Sequence, residues 1–445
     1  MSRSLRLLVA FWAALWTTAL PFLVLYLIWR GRRDPLYRSL LFERFGLHRP
    51  WPPGAVWVHA VSLGELRSAV PLIRALLEQG ERIVTTHFTP AGRREVERVF
   101  AAEIAADRLR PTWVPLETGW AYWGFLRAFR PAYGLVMEIE IWPQMIASAR
   151  AARVPLLMCN AQYPSRSLAR DSAHFPIRQA LMRGFTGALV KSDLQRQRFA
   201  SIGLTNIAVT GELRFEQPVP RHFVVAGRDA RRWLGAEHRW VITIASAVEG
   251  EDPIYVEVIR RLHASQRHLG LEPPLVVYVP RRPERFELVA ATLEVAGLQV
   301  LRRSGLGQGF SPQGWGPPPI SAPDVLLGDS LGEMYAYLEM ADQVVVGGGF
   351  SRAGAHNISE ALVLGKPVLT GPFIHTIEYP FLEALAAGVV LSVPDGAALA
   401  DALVQGFRPP PREIAAFLHA HDGATLRTLA ALPELLSRSS GPRPH

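Results

Sequence analysis

The sequence predicts an α/β protein of two doubly wound domains facing each other across a cleft, preceded by an apolar helix. Three observations predict it. Strand-then-helix units alternate from residue 56, stop at 211–221 where Pro218 and Pro220 flank charged residues, and resume at 240. The chain has 445 residues, more than one hydrophobic core organises. Residues 7–29 form an uncharged run ahead of the alternating part.

That run is long enough to cross a hydrocarbon core. Arg3 and Arg6 precede it, and Arg30, Arg32 and Arg33 follow at closer spacing. The positive-inside rule therefore favours a cytoplasmic C-terminal side. A cleaved signal peptide fits poorly, because the run is too long and lacks an A-x-A site. Pro21 would permit a bend and a placement within one leaflet. Anchorage is the expectation in either geometry. Residues 34–49 then read as a short amphipathic helix rich in arginine and aromatics.

Strands are predicted at 56–61, 82–86, 133–138, 155–160 and 187–191, where apolar and β-branched residues cluster. Helical periodicity covers 66–79, stopping at Gly80, and 91–100. After the break, strands are predicted at 240–245, 275–279, 324–327 and 343–346, with helices at 254–266 and 284–296. Residues 304–323, rich in Gly and Pro, read as an exposed loop with little order. Ligands of such sheets bind beyond the carboxyl ends of the strands.

Composition narrows the function. A hydrophobic fraction of 49% with 20% charged residues describes a globular chain. Cys159 is the single cysteine, which excludes an internal disulfide and suits a reducing compartment. The 13 histidines include no HExxH and no Cys/His cluster, so no protein-built zinc site is expected. Net charge is +9, and all but two of the 48 basic residues are arginine; only Lys191 and Lys366 are lysine. Arginine-favouring codons account for that as readily as an anionic partner, whose phosphate or carboxylate arginine forks match. No RRM, KH or zinc-finger pattern supports nucleic acid.

Five motifs carry candidate chemistry. Ser62-Leu63-Gly64-Glu65 follows the first strand. Gly64 permits a tight turn, and Glu65 stands where a carboxylate could take a proton from an attacking hydroxyl. The same S-x-x-E spacing makes a capping box, and the helix dipole lowers a carboxyl pKa, so burial would have to oppose it. In Met137-Glu138-Ile139-Glu140-Ile141-Trp142-Pro143, two carboxylates alternate at a strand end, one toward the cleft, unless both simply face solvent. Pro280-Arg281-Arg282-Pro283-Glu284-Arg285-Phe286 opens a helix, and its N-terminus beside Arg281 suits a phosphate; a solvated basic turn is the plain alternative. Gly328-Asp329-Ser330-Leu331-Gly332-Glu333-Met334 is another strand-to-helix turn. Last come Gly347-Gly348-Gly349, Arg352, Gly354, His356, Asn357 and Glu360. Glycines there would let backbone approach a phosphate, and Glu360 could accept ribose hydroxyls, or Asn357 and Glu360 simply cap a helix. The run fits neither the Walker nor the GxGxxG template.

Together these segments resemble the Kdo transferases, which attach 3-deoxy-D-manno-octulosonic acid to the lipid A precursor. The resemblance runs from about Tyr37 to about Tyr379. It rests on Glu43-Arg44-Phe45-Gly46, His59-Ala60-Val61-Ser62-Leu63-Gly64-Glu65, Glu138-Ile139-Glu140-Ile141-Trp142-Pro143, Asn160-Ala161, Ser165-Arg166-Ser167, Thr210-Gly211 and Arg214-Phe215. Glu249-Gly250-Glu251, Pro280-Arg281, Pro283-Glu284-Arg285-Phe286, Gly328-Asp329-Ser330, Gly332-Glu333 and the stretch from Gly354 to Pro372 continue it in order.

The resemblance implies a GT-B fold of two Rossmann-like domains, with a membrane anchor at 1–33, an acceptor domain at 34–215, a linker at 216–238 and a donor domain at 239–445. It implies CMP-Kdo as donor, a phosphorylated glycolipid acceptor at the cytoplasmic face of the inner membrane, no cofactor and no metal. It implies Glu65 as general base with Glu138 and Glu140 beside it, and Ser246, Arg281, Gly332, Glu333, Met334, Asn357 and Glu360 around the nucleotide. Departures fall in the ligand-facing motifs. Ala247 and Val248 stand at the family's Thr and His, Arg282 at its His, Gln144 at its Asn, and Gln162-Tyr163-Pro164 at its Arg-Leu-Ser. A paralogue using another acidic sugar or lipid is therefore an alternative. A non-catalytic lipid binder of this fold is another, against which Glu65, Asn357 and Glu360 speak.

Overall fold

Val56 and Val58 pack into the core on one face of a parallel sheet, and Trp57 into the core on the other, as the two-residue period of a strand dictates. The computed structural model describes residues 3–174 and 176–438. It divides into two units. One runs to Gln217 and resumes at Asp422; the other is Pro218–His421.

Unit 1 holds β1 (Val56–His59), β2 (Ile83–His87), β3 (Leu109–Trp113), β4 (Tyr133–Met137), β5 (Leu156–Ala161), β6 (Gly187–Val190) and β7 (Ile207–Val209). They pair in parallel in the order β3-β2-β1-β4-β5-β6-β7. Chain order reverses between β1 and β4, the switch point where such sheets open a crevice. Helix Leu63–Glu78 follows β1 and buries Leu66, Ile73 and Leu77 against the sheet, each worth about 1.5–3 kcal/mol. It ends where Gly80 turns left-handed (φ 89°).

Unit 2 holds β8 (Val241–Ala247), β9 (Leu275–Pro280), β10 (Val300–Arg302), β11 (Val325–Leu327), β12 (Gln343–Val346), β13 (Val368–Thr370) and β14 (Val390–Ser392). Their order is β10-β11-β9-β8-β12-β13-β14, again all parallel, with the reversal between β8 and β12.

Four expectations change. Residues 34–49 do not form one helix: a 3-10 turn at Pro35–Tyr37 and a single turn at Leu41–Arg44 flank Leu40, which is left-handed. Residues 216–238 are not a free linker, because helix Arg221–Trp233 packs through Gly227 on the carbonyl of Ala336, where a Cβ would come within 2.5 Å. Arg231 also bonds Asp342 at 2.8 Å, so the segment from Pro218 on is part of unit 2. The donor domain does not run to the C-terminus. Helix Ala424–Ser437 buries Leu432 and Leu435 in the unit 1 core, and Arg427 donates to the Thr210 carbonyl at 3.0 Å. Within 304–323, Phe310 and Trp315 are buried, with the Arg303 guanidinium over both rings, so that loop is pinned.

The N-terminal segment is one helix, α1 (Arg3–Arg30), long and apolar enough by length and composition to cross a membrane.

Candidate active site

Each unit presents its sequence-predicted residues at or beyond the carboxyl ends of its strands. In unit 1, β1 leads through Val61 into helix Leu63–Glu78, with Ser62 as N-cap accepting from the Glu65 N–H at 3.3 Å. The Ser62 hydroxyl donates to the Glu65 carboxylate at 2.7 Å, and the Val61 N–H donates to its other oxygen at 2.9 Å. Ser62 and Glu65 therefore form a reciprocal capping-box arrangement. Glu65 is only 8% exposed. Burial pushes its carboxyl up to about 7, outweighing the two hydrogen bonds; the charges of Glu140 and Glu138 push the same way. The dipole that threatened the base loses to desolvation.

β4 ends in Glu138, which is left-handed at φ 56° and donates its N–H to the Cys159 carbonyl at 2.8 Å. A non-glycine residue in this region costs about 1–2 kcal/mol, a strain typical of functional sites. The turn delivers its carboxylate to Arg214 at 2.6 Å. Glu140 accepts from the Trp142 indole at 2.8 Å, and burial raises its carboxyl against that bond. The Trp142 ring meets His59 and Phe88 edge-on or tilted, at 5.9 and 6.0 Å. The structure thus brings the charges of Glu138 and Glu140 within reach of Glu65. It adds Arg214, which the motif contained but spacing could not connect to Glu138. A buried network behind it (Asn160, Lys191 and Glu212) holds that corner: Lys191 pairs with Glu212 at 2.8 Å, and Asn160 donates to Glu212 at 2.8 Å.

In unit 2, β8 ends with Ser246, also left-handed at φ 61°. The next helix begins beyond Glu251, a carboxylate only 1% exposed. Glu251 accepts from the N–H groups of Val248 (3.0 Å), Gly348 (2.8 Å) and Phe350 (3.0 Å), lacing β8 to the turn after β12. The glycine run accordingly does not work as an open phosphate cradle. The Gly348 N–H and that of Phe350 just after the run serve Glu251, and a Cβ at Gly347 would come within 2.5 Å of the Ser246 carbonyl. A Cβ at Gly349 would collide with Thr370. These glycines permit close backbone packing. Glu251 belongs to the Glu249-Gly250-Glu251 segment of the resemblance, but no local pattern gave it this bridging role across the switch point.

The positive element lies nearby. Arg281 and Arg282 are exposed after β9, and the Arg281 N–H donates to the Ala247 carbonyl at 2.9 Å. Burial, helped by the charges of Arg281 and Arg282, drives the His356 imidazole down to about 4. Two exposed arginines thus lie beside a neutral histidine. Asn357 accepts from the Ser359 N–H at 2.9 Å just ahead of helix Ser359–Val363, whose N-cap is Ile358, and Glu360 is half-buried in that helix's first turn. Glu333 is turned inward, paired with Arg303 at 3.0 Å and bonded by Ser330. Gly332, left-handed at φ 81°, is exposed, while Met334 is half-buried. Ala247 is fully buried in the core, so its departure from the family's Thr removes no exposed ligand contact; Val248 is half-buried.

Comparison with known proteins gives this geometry a context. The profile of the 3-deoxy-D-manno-octulosonic-acid transferase (kdotransferase) family matches residues 39–217. A 3-deoxy-D-manno-octulosonic acid transferase of Bordetella pertussis is 39% identical over 428 residues, spanning 94% of this chain and 96% of that one. The chain belongs to the Kdo transferase family. A Haemophilus influenzae relative of the same name is 28% identical over 377 residues, 83% of each chain. Among solved structures, a putative UDP-N-acetylglucosamine 2-epimerase from Listeria monocytogenes superposes with TM-score 0.58 at 14% identity, over 88% of this chain and 99% of that one. Anabaena HepE in complex with UDP and glucose does so with TM-score 0.55 at 13% identity, over 86% and 99%. These two show the fold, which is GT-B. This Kdo transferase family member is thus a glycosyltransferase, and its activity is Kdo transfer.

Proposed function

We propose that the protein transfers Kdo from CMP-Kdo to a lipid A precursor at the cytoplasmic face of the inner membrane. Unit 1 receives the acceptor and unit 2 the nucleotide. The observation that carries this reading is Glu65, a carboxyl held near 7 at a helix N-terminus beside two further carboxylates. A base poised there is half-ionised at neutral pH and matched to a hydroxyl proton in flight.

In the reaction the acceptor hydroxyl oxygen attacks the anomeric carbon of Kdo. The bond from that carbon to the phosphate oxygen breaks, CMP leaves with its electron pair, and Glu65 takes the hydroxyl proton. Glu138 and Glu140 keep Glu65 basic by raising its affinity for that proton. On the donor side, Arg281 and its neighbour Arg282 supply charge for the phosphate, and the neutral His356 offers a hydrogen bond beside them. Ser246, Gly332 and Met334 border the nucleotide, Asn357 orders the first turn bearing Glu360, and Glu360 accepts ribose hydroxyls. Glu333 acts from within the fold, through Arg303. The apolar α1 and the arginines after it hold the enzyme at an anionic membrane.

The test is incubation of the full chain with lipid A precursor and CMP-Kdo, read by mass spectrometry. A lipid mass increased by Kdo supports the reading. An unmodified lipid under conditions where another acidic sugar nucleotide or another lipid is consumed refutes it.

A further inference from the structure

A bilayer-spanning helix has its ends on opposite faces of the membrane. The first half of α1 instead packs on unit 1, and its far end lies beside the same unit. Near its start, Leu5 and Val9 are buried in the unit 1 core. The Trp12 indole donates to the buried Glu117 carboxylate at 3.0 Å, and Glu117 also accepts from the Gln144 and Met145 N–H groups, capping helix Pro143–Ala151. Eighteen residues on, about 27 Å along the axis, Trp29 and Arg30 line a cavity with Thr89, Pro90 and Arg94. Asp34, just past the helix, bonds Arg94 at 2.9 Å.

Both contact points border the Glu65 site. Phe88 and Thr89 each donate an N–H to the Val61 carbonyl at 3.2 Å, and the Val61 N–H donates to Glu65. Phe88 meets Trp142, the residue before the helix that Glu117 caps. The helix therefore runs past the rim of the base, from the loop after β2 to the helix after β4. If α1 crossed a bilayer, Glu117 and the Gln144 it caps would be carried toward hydrocarbon with it. The opposite side of α1 is a single apolar stripe: Leu7, Phe11, Phe22 and Leu25 are 64–75% exposed. Arg32 and Arg33, exposed at its end, complement anionic headgroups.

We propose that α1 lies within one leaflet along unit 1 and forms the lipid-facing wall of the approach to Glu65, so that the acceptor's acyl chains lie beside it. The wall role rests on the lipid acceptor proposed above; the one-leaflet placement does not.

The single cysteine, Cys159, is buried and gives a silent background. Ser4→Cys and Arg33→Cys, in the full chain in sealed inside-out membrane vesicles, should both react with a membrane-impermeant maleimide from the cytoplasmic side. Labelling of Ser4→Cys only after detergent would overturn the placement. Trp12→Phe should raise the KM for vesicle-borne lipid A precursor about 3–10-fold, the worth of one hydrogen bond, with kcat within about twofold. A fall in kcat at unchanged KM would overturn the wall. Wild-type enzyme that ignores lipid A precursor while both cysteines label from one side would refute the acceptor reading and uphold the placement.

Discussion

Ser62→Ala separates the two roles of the turn after β1. The Ser62 hydroxyl donates to the Glu65 carboxylate at 2.7 Å and stabilises its ionised form. A hydrogen bond to a charged group is worth roughly 1.5–3 kcal/mol, and each pH unit of displacement corresponds to about 1.36 kcal/mol. Water will replace part of the lost bond, so the acid limb of the kcat/KM profile should move upward by about one pH unit. With the wild-type carboxyl at about 7, half is ionised at pH 7; in the variant about a tenth would be, a loss of about fivefold by the same arithmetic. Activity should return near pH 9. The lost cap should also lower stability by about 1 kcal/mol. The assay is kcat/KM for CMP-Kdo and lipid A precursor across the pH range, with calorimetry alongside. An acid limb that stays in place, or moves down, would refute Glu65 as the titrating base.

Glu65→Gln should abolish most turnover while CMP binding, measured by calorimetry, stays intact. Its stability should also report the raised carboxyl. The fold prefers neutral Glu65, and that preference is fully present below the unfolded value near 4.5 and lost as pH rises through about 7. The Gln variant should therefore lose less stability between pH 4.5 and 8 than wild type, by up to about 3 kcal/mol. Glu251→Ala leaves the N–H groups of Val248, Gly348 and Phe350 unpaired. It should cost about 3 kcal/mol or more of stability and weaken CMP binding, whereas a melting point within a degree of wild type would remove Glu251 from its bridging role. CMP seated beside Arg281 and Arg282 should raise the His356 pKa from about 4, seen as a downfield imidazole shift on titration by NMR. An unchanged His356 resonance at saturating CMP would place the phosphate elsewhere.

Legibility followed the range of the interactions involved. Central strands such as β1, β4, β8 and β12 are continuous apolar runs buried on both faces, so composition alone marks them. The edge strands β3, β7, β10 and β14 escaped, as did β13 beside β14. β3 carries Pro111, and the other four have three residues each, too few to show a period. The S-x-x-E spacing announced a capped carboxylate but not its ionisation, because burial under neighbouring elements sets the pKa and no local pattern encodes it. Glu138 and Ser246 gave no warning of left-handed backbone, since neither is a glycine.

The sequence by itself determined the two doubly wound sheets, the uncharged N-terminal helix and the motif set that marks a Kdo transferase. Each depends on residues a few positions apart, whose periodicity and turn chemistry are local. The tertiary structure alone decided the rest. It returned helix Ala424–Ser437 to unit 1, joined Arg214 to Glu138 across 76 positions and Glu251 to Gly348 across 97, and set Trp12 on Glu117 across 105. Those pairings arise because parallel strands bring distant loops to one sheet edge, where buried polar groups must find each other once water is gone.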